Sequence, residues 1–89
     1  MKRSLRSYEV RKMREYLANS GIDCNVLKDE DYAVIVNLVR CENYSDTKHS
    51  WFDVACHIIK SVIDDVDIWF INSINNDIAT VKVGFLRWV

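Results

Sequence analysis

The stretch Tyr32-Ala33-Val34-Ile35-Val36-Asn37-Leu38-Val39-Arg40 decides the fold class. Its β-branched residues favour a pleated strand. At a period of two, Tyr32, Val34, Val36 and Leu38 fall on one face, and Ala33, Ile35, Asn37 and Val39 on the other. Just upstream, the acidic tetrapeptide Lys28-Asp29-Glu30-Asp31 has the length of a hairpin loop. A second strand is therefore expected over 22–27, paired with 32–40. The same signal recurs downstream, with strands expected over 66–72 and 78–88. There Val81, Val83 and Phe85 alternate with Thr80, Lys82 and Gly84, and the polar stretch from Asn72 to Asp77 joins the two runs.

A helical period precedes each strand pair. Over residues 4–19, Leu5, Tyr8, Val10, Met13, Tyr16 and Leu17 fall on a broad apolar arc. Gly21 stands where a helix end needs a left-handed residue. Over 50–65, Trp51, Phe52, Val54, Ala55, Ile58, Ile59, Val62 and Ile63 form the apolar arc, and Asp53, His57, Lys60 and Asp64 the polar side. Ser50 followed by Asp53 resembles a capping box. The order helix–strand–strand thus occurs twice, like a duplicated unit. The reading is an α+β fold in αββαββ order, with a four-stranded antiparallel sheet and both helices on one sheet face. With 89 residues and no Pro- or Gly-rich linker, a single domain is expected over 1–89.

Several function classes lack their residues. The longest apolar run, Tyr32 to Val36, is far short of a membrane span. The basic start Met1-Lys2-Arg3-Ser4 is not followed by an apolar core, so no signal peptide is read and a cytosolic location is expected. The three cysteines, Cys24, Cys41 and Cys56, are odd in number and form no CxxC, which suits reduced thiols. Cys41, His49, Cys56 and His57 match no zinc spacing. Two glycines, Gly21 and Gly84, allow no phosphate-binding loop, so no cofactor or metal is expected. Cys56 and His57 are adjacent on a helix and point about 100° apart, which prevents a nucleophile–base pair. Asp53 and His57 share a helix face, as surface pairs often do. No enzymatic activity is expected.

What remains is charge layout and an apolar excess. The first sixteen residues carry six basic side chains against two acids, and the rest of the chain carries six basic against eleven acidic. Arg3, Arg11 and Arg14 line one side of the first helix, while acids cluster at Asp29-Glu30-Asp31 and at Asp64, Asp65 and Asp67. The strands are apolar on both sides. If one face packs on the helices, Ile35, Val39, Trp69, Ile71 and Trp88 are left on the other, enough to mark an interaction surface. The expectation is a small inhibitor that binds another protein, of the kind found among immunity proteins and phage or mobile-element accessory proteins. Asp29, Glu30, Asp31, Asp64, Asp65 and Asp67 would steer that partner and a tryptophan would anchor it. A symmetric dimer covering one sheet face with another is a second way to bury the excess. The alternative is a nucleic-acid-binding regulator that places Arg3, Arg11 and Arg14 on phosphates.

Overall fold

The computed structural model describes residues 5–30, 33–46 and 48–85. It has two helices and four strands: α1 (Ser7–Asn19), β1 (Ile22–Glu30), β2 (Ala33–Arg40), α2 (Trp51–Val62), β3 (Val66–Ile74) and β4 (Ile78–Phe85). All neighbouring strands are antiparallel, in the order β1-β2-β4-β3. The αββαββ order and the α+β class are as the sequence implies.

Strand parity places the core. Val34, Val36 and Leu38 of β2 point to the same side as Val81, Val83 and Phe85 of β4, and all are buried. Met13 and Leu17 of α1, Ala55 and Ile59 of α2, and Ile63 just beyond it pack against that side. Both helices therefore cover one face, and among the described residues no helix covers the other.

The first helix buries a narrower stripe than its arc implies. Met13 and Leu17 are fully buried, while Tyr8 and Tyr16 are half exposed. Tyr8 lies five residues before Met13, roughly 140° around the helix, so it cannot share the packed stripe. Glu9 lies closer to that stripe and is buried. Its Oε1 accepts the Arg6 backbone N–H at 3.0 Å, satisfying a donor at the helix start. The second helix begins at Trp51, and Ser50 makes no side-chain cap bond, unlike the capping box expected of it.

The strands at the two sheet edges outrun their expected ends, and each contains a β-bulge. In β1 the register slips between Val26 and Lys28, leaving Leu27 as the extra residue. In β3 it slips between Phe70 and Asn72, leaving Ile71 extra. Past each bulge the ladder continues, so Asp29 and Glu30 pair with Val34 and Ala33 as strand residues. The acidic segment is thus largely strand, and the polar stretch after Asn72 is strand as far as Ile74.

These features repeat between the halves. β1 and β3 each have nine residues and a bulge at the sixth, while β2 and β4 each have eight. A left-handed residue precedes each nine-residue strand, Gly21 at φ +84° and Asp65 at φ 61°. The two αββ units therefore share backbone geometry as well as element order.

Candidate interaction surface

The outer sheet face reads as rows across the strands. Lys28, Ile35, Lys82 and Trp69 form one row. The next is polar: Asn25, Asn37, Thr80 and Asn72. Within it the Thr80 hydroxyl donates to Asn37 Oδ1 at 2.6 Å. The third row holds Asp23, Val39, Ile78 and Ile74. Ile35 and Val39 thus lie on the outer face, both half-buried, with the amide row between them. Trp69 is 38% exposed on the same face, with Lys82 standing between it and Ile35. Ile71, the bulge residue, is 50% exposed. Trp88 lies outside the described residues.

The sequence reading passed over Phe70 and Ile74, which are more exposed than Trp69, at 58% and 53%. Phe70 lies on the helix side of β3, where its ring meets Phe52 edge-on with centroids 5.9 Å apart. The exposed residues of β3 therefore occupy both faces of one edge strand. No Asp, Glu, Lys or Arg occurs between Asp67 and Asp77, an absence of charge that was the available signal.

The other edge is guarded. Asp23, Lys28, Asp29 and Glu30 put charge along β1. Arg14 Nε reaches over from α1 and donates to the Cys24 carbonyl oxygen at 3.0 Å. Charged side chains and filled backbone groups are what keep a strand edge from pairing with another chain. Val26 and Leu27 are the only large apolar residues exposed on β1 among the described residues.

The acids of both halves meet at one end of the sheet. Glu30, Ala33, Gly84 and Asp67 form a single row, with Asp29 beside it and Asp64 and Asp65 in the turn before β3. Glu30 is not a free steering charge. Its carboxylate lies 3.2 Å from Lys82 Nζ and 3.9 Å from Lys28 Nζ, so two lysines neutralise it. Asp29, Asp64 and Asp65 are exposed and Asp67 is half-buried. Asp31 lies outside the described residues.

The basic stripe of α1 is also altered. Arg3 is outside the described residues, Arg11 is exposed, and Arg14 is committed to the Cys24 carbonyl. Arg11, Arg14, Glu15 and Asp23 surround a groove of about 420 Å³ between α1 and β1, so two acids share that groove with the two arginines.

Asp53, Cys56 and His57 share α2, while His49 lies in the loop before it. Burial first, then the Asp53 charge, pushes the Cys56 thiol above its ordinary value, against a smaller opposite pull from Lys60. At neutral pH that side chain is a thiol rather than a thiolate. Asp53 and His57 are both exposed on α2. His49 pairs with Asp46 at 3.3 Å in the loop before α2. Among the described residues, no three His, Cys, Asp or Glu side chains converge as a metal site would require. No helix among them is long and apolar enough to cross a membrane.

No family model, curated protein or solved structure matches this chain.

Proposed function

We propose that the protein is a non-enzymatic binding protein that engages another protein through its open sheet face and inhibits it stoichiometrically. The proposed class is an immunity-type inhibitor or a phage or mobile-element accessory protein. One observation carries the reading: both helices pack on the same sheet face, leaving Ile35, Val39, Trp69, Ile74 and Ile78 on the uncovered side. Apolar side chains gathered on an open face cost solvation unless a partner covers them. Asp29, Asp64, Asp65 and Asp67 at one end of the sheet add a negative field that speeds encounter with a basic partner. The amide row through Asn37 and Thr80 supplies hydrogen-bonding specificity in the middle of the face.

The test uses central-strand substitutions that keep strand propensity. Ile35→Thr together with Val39→Thr should leave the chain folded by circular dichroism. It should also abolish both capture of the partner from source-cell extract and inhibition of its activity. Full binding and inhibition by the double variant would refute the reading. So would an affinity for nucleic acid that falls steeply with salt and is lost in Arg11→Gln, which would move function to the basic helix.

A further inference from the structure

We infer that the free edge of β3 pairs with the β3 of a second copy of this chain, antiparallel about a two-fold axis at Trp69, making a continuous eight-stranded sheet. The inference goes beyond the proposed binding of a foreign protein and does not depend on it.

Backbone alternation fixes which groups face outward. In an antiparallel ladder, each residue directs its N–H and C=O to one neighbouring strand only, and successive residues alternate. Arg40 N donates to Asp77 O at 2.8 Å, which sets the phase between β2 and β4. Counting in steps along the observed registers, Lys82 and Thr80 direct their backbone groups to β3, where Trp69 and Asn72 meet them. The groups of Ile68 and Phe70 then point away from the sheet. The same counting on β1, phased by Cys41 N donating to Gly21 O at 2.9 Å, turns the Cys24 carbonyl outward. That is the carbonyl Arg14 reaches, so the phase agrees with an independent contact.

Exposure and charge identify the occupant. Trp69 and Phe70 are exposed on opposite faces of the same strand. A partner lying on one sheet face would cover only one of them, whereas a strand added at the edge flanks both. Face-to-face stacking would also bury the Asn25–Asn37–Thr80–Asn72 row against a copy of itself. The edge carries little charge to repel a copy of itself, because Asp67 is the only charged residue of β3 and stands near one end. An axis at Trp69 pairs Ile68 with Phe70 of the second copy, and Phe70 with its Ile68. The two tryptophans then meet as a close pair on the outer face. The two Asp67 residues lie four positions apart, about 13 Å at strand rise, beyond the Debye length at physiological salt. An axis one residue earlier, at Ile68, would bring them to diagonal positions about 7–8 Å apart. The bulge at Ile71 ends the regular run, so the contact is short and the dimer reversible.

Sedimentation equilibrium of the full chain tests this, with charge reversal at one site. The wild type should show a concentration-dependent shift from monomer to twice the monomer mass. At position 71, opposite Asp67 of the second copy, Ile71→Asp should weaken the dimer at least tenfold, whereas Ile71→Lys should retain or tighten it. Equal weakening by both substitutions would overturn the register. A wild type that sediments as a monomer at every concentration would overturn the pairing, even if it binds a foreign protein normally.

Discussion

Arg14 Nε donates to the backbone carbonyl of Cys24 at 3.0 Å, joining the middle of α1 to the outer edge of β1. No side chain of α2 makes a hydrogen bond to the β3 backbone among the described bonds. The two halves repeat the same backbone plan, yet one edge is closed by an arginine and a row of charges, while the other is open and apolar among the described residues. The inferred pairing of β3 with a second copy follows from that asymmetry.

Removing the Arg14 side chain should therefore cost stability in a way that removing Arg11 does not. Arg14→Ala is expected to lose about 1 kcal/mol in urea unfolding, the usual net worth of such a bond. Arg11→Ala, on an exposed helix position, should stay within about 0.5 kcal/mol of wild type. Equal effects would mean that the Arg14 contact does not persist in solution.

The left-handed residues before β1 and β3 should respond in opposite directions. A Cβ on Gly21 would stand 2.7 Å from Tyr44 Cα and 2.8 Å from Tyr44 N, both backbone atoms with little room to yield. With φ at +84°, Gly21→Ala should cost at least about 2 kcal/mol. Asp65 holds φ 61° with a side chain, so Asp65→Gly should be neutral or stabilising, by up to about 1 kcal/mol. Thermal unfolding of the two variants measures both.

The Cys24 thiol gives the protein an alkaline limit. Burial pushes its pKa up to about 11, against a smaller lowering by the Arg14 charge. A thiol raised in the folded state contributes stability that is fully present below the unfolded value near 9 and is lost as pH rises toward 11. The loss attributable to this group is on the order of 2–3 kcal/mol. Unfolding measured at pH 8 and pH 11 should show Cys24→Ala declining less than wild type over that interval. Parallel declines would show that the thiol is not the titrating group.

The helix-covered core and the exposed edge of β3 should be distinguishable by truncation. Ile59→Ala removes a fully buried side chain and is expected to cost about 2–5 kcal/mol, whereas Ile74→Ala, at a half-exposed edge position, should cost less than about 1 kcal/mol. A large loss at Ile74 would place it in a core that the fold described above does not contain.

The sequence reveals the alternation of Val34, Val36 and Leu38 against Ile35 and Val39, and that pattern is enough for the fold class. It does not reveal the bulges. Leu27 and Ile71 carry no glycine or other mark, and a bulge is set by how the partner strand registers against the chain. Strand order is equally hidden, because it depends on which hairpin lies at the centre of the sheet. Edge exposure follows from that order, so the charge-free run over 68–76 marks the segment but does not by itself separate the exposed Phe70 and Ile74 from buried strand residues. The same holds for Arg14 and Glu30. Their partners, Cys24 and Lys82, are brought to them by the fold, and a charge read as free from its helix or loop position is in fact engaged. The outer-face position of Trp69 was legible because its parity opposes that of Ile68 and Phe70.

Backbone amide exchange across β3, followed residue by residue by NMR, tests the open edge most directly. The measurement belongs on the Ile71→Asp chain, at a concentration where sedimentation gives the monomer mass. The Trp69 amide, bonded across to β4, should be protected, while those of Ile68 and Phe70 on either side of it should exchange rapidly. Protection of Ile68 and Phe70 equal to that of Trp69 in the monomer would contradict the account, because another part of the chain would then already cover the edge.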